Sequence, residues 1–169
     1  MSGVDKVYDL SKTRDSRLIG AIGEMLAWKY LRRKRIWAYK IGGWYPFPAT
    51  YPFESGISRY ELRGLTEEQI NYLKKMCLHG SRRFDFVGIK RKRWSWAERN
   101  YKVVPYLIEV KTTGLIGERK DLYGRMSGRI PEDIEEAKAN GFKILLVIVK
   151  LLENWKYTVI CNTPSKREP

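Results

Sequence analysis

The stretch Tyr106-Leu107-Ile108-Glu109-Val110-Lys111-Thr112-Thr113 decides how this chain is read, because it is a strongly apolar strand pattern that carries one acid and one lysine. Successive side chains of a β-strand point to opposite faces, so Glu109 and Lys111 emerge on the same side of a sheet. A carboxylate and an ammonium held side by side suit phosphoryl chemistry. The carboxylate holds a hard divalent cation, and the lysine orients water or offsets developing charge.

Spacing alone does not single out this pair, since the chain has three acid-x-Lys triplets, beginning at Glu109, Glu118 and Glu136. Only the first lies in an apolar run. Upstream, Arg83-Phe84-Asp85-Phe86-Val87-Gly88-Ile89 is a second apolar stretch with a single acid. Folding the two as a hairpin puts the midpoint between Asp85 and Glu109 at residue 97, inside the polar segment 91–101. The two carboxylates then face each other on neighbouring strands, where paired Cβ atoms lie about 4.5–5.5 Å apart, close enough to share one metal ion.

Asp85, then Glu109-Val110-Lys111 on the next strand, with Glu24 on an N-terminal helix, resembles the PD-(D/E)xK nuclease superfamily. Within it, the chain is similar to small archaeal Holliday-junction resolvases and to Mrr-like or other standalone endonuclease domains. The resemblance covers residues 17–31 and 83–151 and leaves the insert 42–80 outside it. Phe84 precedes Asp85 where the family name has proline, a position often replaced in the superfamily. The resemblance implies an α/β fold with a restriction-endonuclease-like core, a central mixed β-sheet flanked by α-helices. It also implies a Mg²⁺-dependent deoxyribonuclease, with Mn²⁺ as the expected substitute. Asp85 and Glu109 would hold the metal together with the carbonyl of Val110, waters and a phosphate oxygen. Lys111 would position or deprotonate the attacking water or offset charge on the phosphorus. Glu24 would complete the shell or help bind a second ion. DNA rather than RNA as substrate rests on the resemblance alone, and many members dimerise to place two cuts, which allows a homodimer.

At 169 residues and 43% hydrophobic, the chain reads as a single domain with a real core, residues 1–169. Its longest apolar run, residues 144–152, is interrupted by Lys150 and far short of a membrane span. No signal peptide is visible at the polar N-terminus, so no membrane association and a cytoplasmic location are expected. Cys77-Leu78-His79 brings a thiol near the one histidine, but zinc normally needs four ligands, so Cys77 and Cys161 both read as structural.

The charge is more informative. Thirty-three Lys and Arg against 19 Asp and Glu give +14, with an isoelectric point near 9.8, the footprint of a protein that meets a polyanion. A solvated thermophile surface is the bland alternative, but it predicts balanced charge. An anionic membrane surface is a third option, and no basic amphipathic helix stands out to serve it.

Residues 1–14 are polar and read as loosely held. A helix is predicted from Asp15 or Ser16 to about Lys34, with apolar residues around most of its circumference and therefore extensive burial. Glu24 is its one acid between Arg17 and Lys34, among small and apolar neighbours. Burying a lone carboxylate costs several kcal/mol, so Glu24 either reaches the metal site or pairs with an arginine. Gly20 and Gly23 would let this helix sit close to the sheet. Residues 36–41 predict a short strand. The aromatic, proline-rich insert at residues 42–65 reads as a loop whose rings either stack on bases, fold inward as a lid, or make a subunit contact.

A helix over residues 66–79 is predicted, capped by Thr66, with Ile70, Leu73, Met76 and Cys77 as its stripe. Arg82 and Arg83 lead from it toward Asp85. The turn Lys90-Arg91-Lys92-Arg93-Trp94-Ser95-Trp96 is the densest basic and aromatic cluster in the chain, suited to a duplex groove or phosphate backbone. Its candidate contacts are Arg91, Lys92, Arg93, Trp94 and Trp96. The glycine-rich loop 112–129 adds Arg119, Lys120 and Arg125 near the cleft and lacks the residue order of a nucleotide P-loop. A helix over residues 131–140, a buried strand over 143–152 and an edge strand over 156–161 complete the order. Two functions from other classes stay beside the nuclease: a catalytically inactive nucleic-acid-binding module on the same fold, and an assembly subunit that uses the aromatic loop as an interface.

Overall fold

The computed structural model describes residues 16–40, 63–78, 84–93, 101–113, 131–152 and 156–162. Its elements run α1 (Ser16–Arg33), β1 (Trp37–Lys40), α2 (Glu67–Leu78), β2 (Phe86–Arg93), β3 (Tyr101–Thr113), α3 (Pro131–Ala139), β4 (Lys143–Leu151) and β5 (Tyr157–Asn162). This is the order of helices and strands that the sequence patterns predict. The strands form one five-stranded sheet in the order β1-β2-β3-β4-β5, antiparallel throughout except for the parallel pair β3–β4. The sheet is mixed because α3 lies on the crossover between β3 and β4, and parallel neighbours require such a connection.

Strand alternation divides the core into two layers. On one face Ala27 and Leu31 of α1 pack on Ala38, Phe86, Ile108, Val110, Leu145, Val147 and Val149. On the other, Tyr72 and Leu73 of α2 and Ala137 of α3 pack on Val87, Leu107 and Ile144. Leu31, Leu107 and Ile108 are fully covered, each contributing roughly 1.5–3 kcal/mol by leaving water. α1 buries less than its apolar circumference suggests. Leu18, Met25 and Trp28 are exposed, because only one side of the helix meets the sheet. Of the two glycines expected at that contact, Gly23 is the one that matters. A Cβ there would lie 1.7 Å from Thr112 Oγ1, whereas a Cβ on Gly20 meets nothing within 4 Å.

Local chemistry sets the ends of the elements. Thr66 Oγ1 accepts the Gln69 N–H at 3.2 Å and Gln69 Oε1 accepts the Thr66 N–H at 3.0 Å, a capping box in which Gln69 is the partner that the expected Thr66 cap lacked. Tyr72 joins the expected stripe of α2 as a buried residue. α1 and α3 end in the same Schellman arrangement. Ile36 N–H donates to Leu31 O and Arg35 N–H to Arg32 O, as Phe142 N–H does to Ala137 O and Gly141 N–H to Lys138 O. The left-handed residue is Gly141 (φ +80°) in α3, but Arg35 (φ +58°) in α1.

β3 contains Pro105, which pairs with Ile89. The β4 partners of β3 begin one residue later, at Tyr106, so no ladder bond is lost at the missing N–H. One sequence reading is corrected here. Lys90–Arg93 belong to β2 and pair with Val104, Val103, Lys102 and Tyr101; they are not part of a turn. β1 reaches only to Ile89 and β4 only to Tyr106, so this end is a two-stranded ribbon with Arg91, Lys92 and Lys102 exposed. A ribbon outside the layered core can be polar and still be a strand. Likewise Thr112 and Thr113, read as the start of the glycine-rich loop, are the last residues of β3. The N-terminal segment 1–14, most of the insert 42–65 and the rest of the loop 114–129 lie outside the described residues.

Candidate active site

The hairpin register is the one implied by a midpoint at residue 97. Phe86 pairs with Ile108, so the next position along brings Asp85, at the mouth of β2, opposite Glu109. Asp85 N–H donates to Ile108 O at 2.9 Å, and Asp85 Oδ2 accepts the backbone N–H of Val110 at 2.7 Å. The N–H and C=O of a strand residue project to the same side, so the Val110 carbonyl lies on the Asp85 side, beyond the last rung of β2.

Glu109 and Lys111 share the face of Leu107, as strand alternation requires. Lys111 Nζ donates to Glu109 Oε1 at 2.5 Å. Their β4 partners Leu146 and Ile148 are buried beside them, an apolar wall that strengthens every charge interaction at the site. Glu109 itself is only 7% exposed.

On the opposite face stands a second ion pair. Lys40, on β1, donates to Glu24 Oε2 on α1, lies over the Phe86 ring at 4.9 Å, and has Nζ 3.9 Å from Asp85 Oδ1. Glu24 thus pairs with a cation, as one sequence reading required, but the cation is a lysine of β1 rather than an arginine. Sequence reasoning missed Lys40. The signal available was strand alternation, which puts it on the same face as Ala38 and hence under α1.

The electrostatics follow from this crowding. Burial, and then the Asp85 charge, push the Glu109 carboxyl up to about 7, against the opposing pull of Lys111 and Lys40. Burial likewise raises Asp85, opposed by the Lys40 charge, the Val110 N–H, the Lys111 charge and a hydrogen bond with Glu109. Glu24 is raised by burial and by the Asp85 charge, and lowered by its bond to Lys40 and that lysine's charge. Three carboxyls with raised values in one neighbourhood form an acid cluster that gains from an added positive charge.

Asp85 and Glu109 therefore fit a hard divalent cation. They offer two carboxylates and a nearby backbone carbonyl, and Mg²⁺ is satisfied by one or two carboxylates while keeping several waters. Among the described residues, no three Asp, Glu, His or Cys side chains are gathered closely enough to cage an ion unaided. Glu24 in particular is engaged by Lys40.

Of the candidate nucleic-acid contacts, Arg91 and Lys92 are exposed on the β2 ribbon and Arg93 follows them in the strand. Arg82, Arg83, Trp94, Trp96, Arg119, Lys120 and Arg125 lie outside the described residues, as does His79. No helix among the described residues is long and apolar enough to cross a membrane. Comparison of the chain with known protein families, with curated proteins and with solved structures finds no match.

Proposed function

We propose that this protein is a divalent-metal-dependent endonuclease that hydrolyses phosphodiester bonds in DNA, on a core of the restriction-endonuclease type. One observation carries the reading: Asp85 stands opposite Glu109 at the mouth of β2, with Lys111 Nζ 2.5 Å from the Glu109 carboxylate. Support comes also from the order α1, β1, β2, β3, α3, β4 once α2, inserted between β1 and β2, and the edge strand β5 are set aside, and from the net charge of +14.

Asp85 and Glu109 would hold Mg²⁺, with the Val110 carbonyl beside them and Glu24 in reserve behind Lys40; when bound, the ion polarises the scissile phosphate and acidifies a water. Lys111 positions the attacking water through its ammonium donors and offsets negative charge growing on the phosphate oxygens. Leu146 and Ile148 keep bulk water from that side of the pair. The basic ribbon of Arg91, Lys92 and Lys102 draws the DNA backbone in by charge, while its two-stranded form suits a groove.

The test is incubation with supercoiled plasmid, branched DNA and single-stranded DNA, in Mg²⁺ or Mn²⁺ against EDTA, beside Glu109→Gln. Metal-dependent cutting by the wild type that is lost in the variant, with binding retained, is the expected result. Full activity in Glu109→Gln sinks the assignment.

A second reading has its own observation. Lys40 already supplies Glu24 and Asp85 with a positive charge, and Lys111 does the same for Glu109, an arrangement that a catalytically inactive nucleic-acid-binding module could keep without any ion. DNA binding in every lane with no cutting would select it.

A further inference from the structure

At the end of α1, on β1's flank of the sheet, Arg32 lies between two tryptophan rings. Its guanidinium carbon is 5.0 Å from the Trp28 ring centre and 4.6 Å from that of Trp37. Trp28 is fixed in turn, because its indole N–H donates to the Ala38 carbonyl at 3.1 Å. Both rings remain exposed, at 39% and 47%. A guanidinium held by ring faces loses rotational freedom, and its planar fork matches two phosphate oxygens at once.

The surroundings point the same way. Lys29, Arg33, Lys34 and Arg35 are exposed around Arg32, with Lys34 over the Tyr30 ring at 5.6 Å. Among the described residues, no carboxylate lies within ion-pair distance of any of these five cations. Arg35 occupies the left-handed position that glycine fills in α3, so the cation beside Arg32 stands there at a conformational cost. A patch with no acidic partner among the described residues and with a pre-set guanidinium is complementary to a polyanion whose charges are phosphates.

We propose that the α1–β1 turn is a phosphate clamp for the backbone of a DNA strand, with Arg32 as the gripping group and Trp28 and Trp37 as its jaws. Arg32 is eight residues beyond Glu24, which is about 12 Å along the helix. The clamp is therefore a contact separate from the acid cluster, and it holds DNA whether or not the cluster cuts it.

Binding of a labelled DNA duplex, followed by fluorescence anisotropy in EDTA, tests the clamp with cleavage silenced. Arg32→Ala is expected to weaken binding about tenfold and to reduce the salt slope by about one. Arg32→Lys should recover less than half of the loss, because the charge returns without the planar fork. Trp37→Ala should weaken binding several-fold with no change in charge, while circular dichroism and thermal midpoint report an intact fold. Arg32→Ala binding within twofold of wild type overturns the clamp. So does full rescue by Arg32→Lys together with a neutral Trp37→Ala, which would reduce the site to diffuse charge. Loss of affinity in Arg32→Ala for polyglutamate but not for DNA would assign the surface to an acidic protein and overturn it as well.

Discussion

Lys40 Nζ stands 3.9 Å from Asp85 Oδ1 while it donates to Glu24, so a single ammonium on β1 serves one acid on a helix and another at the mouth of the neighbouring strand. Lys40 is 9% exposed, and removing it leaves two poorly solvated carboxylates without their nearest cation. Lys40→Met is expected to destabilise the metal-free protein at pH 8 by about 2–4 kcal/mol, measured by urea denaturation. If Asp85 takes part in holding an ion, Mg²⁺ should return part of that loss by binding the native state alone. Unchanged stability in Lys40→Met would show that the pair merely cancels its own desolvation.

Stability should also depend on pH in an unusual sense for an acid. Glu109 titrates near pH 7 in the folded protein against an ordinary 4.5, so between these values the native state holds a proton that the unfolded chain has released. Stability is then greatest below about pH 4.5 as far as this group is concerned, and it falls as pH rises toward 7 before levelling off. At about 1.4 kcal/mol for each pH unit between the two values, the loss is on the order of 3 kcal/mol. Asp85, raised by burial, acts in the same direction. Denaturant titrations in EDTA from pH 5 to 8 should show this decline in the wild type and a flatter profile in Glu109→Gln. Parallel profiles would mean that Glu109 keeps its ordinary acidity.

The approach of α1 to β3 depends on the missing side chain of Gly23. A Cβ there would fall 1.7 Å from Thr112 Oγ1 and 2.7 Å from Thr112 Cβ. Gly23→Ala is expected to destabilise the fold by about 1–3 kcal/mol through forced displacement of the helix. Adding Thr112→Ala should recover part of this and not all, because the two Cβ atoms still collide. A neutral Gly23→Ala would mean that the helix shifts freely on the sheet.

Arg35 offers the opposite experiment. Its left-handed backbone suits glycine, so Arg35→Gly is expected to stabilise the protein by up to about 1 kcal/mol. The same variant should weaken DNA binding, since it removes a cation beside Arg32. Thermal denaturation and anisotropy read the two effects separately, and a destabilised variant would contradict the strain.

The sequence was most legible where one physical rule acted alone. Apolar runs marked β3 and β4, and the midpoint between Asp85 and Glu109 gave the register that Phe86 and Ile108 keep. Glu109 and Lys111 were joined by strand period. Legibility failed where a second element decided the outcome. Lys40 is one of 33 basic residues, and strand alternation, which puts it on the face of Ala38, singles it out only once α1 is known to pack over β1. Lys90–Arg93 read as a turn because the stretch itself is polar, while the apolar side chains of the ribbon, buried Val104 and half-buried Val103, come from the partner strand β3. Arg32 was hidden for a similar reason: Trp28 and Trp37 come from different elements and meet only in three dimensions.

The mixed sheet carries a consequence for the order in which this molecule assembles. The β2–β3 hairpin begins at Arg93 and Tyr101, eight residues apart, whereas β3 meets β4 first at Tyr106 and Lys143, 37 residues apart. Loop closure favours the nearer pair, so the hairpin is expected to zip before β4 arrives. Asp85 and Glu109 then come together while still bathed in water, and the desolvation that makes Glu109 a weak acid is imposed only by the last strands to dock. The charge on Glu109 should therefore hasten the departure from the native state and leave the approach to it unchanged. In stopped-flow measurements the refolding rate is expected to hold between pH 5 and pH 8 while unfolding quickens. A refolding rate that slows with pH would place the burial of Glu109 before the barrier.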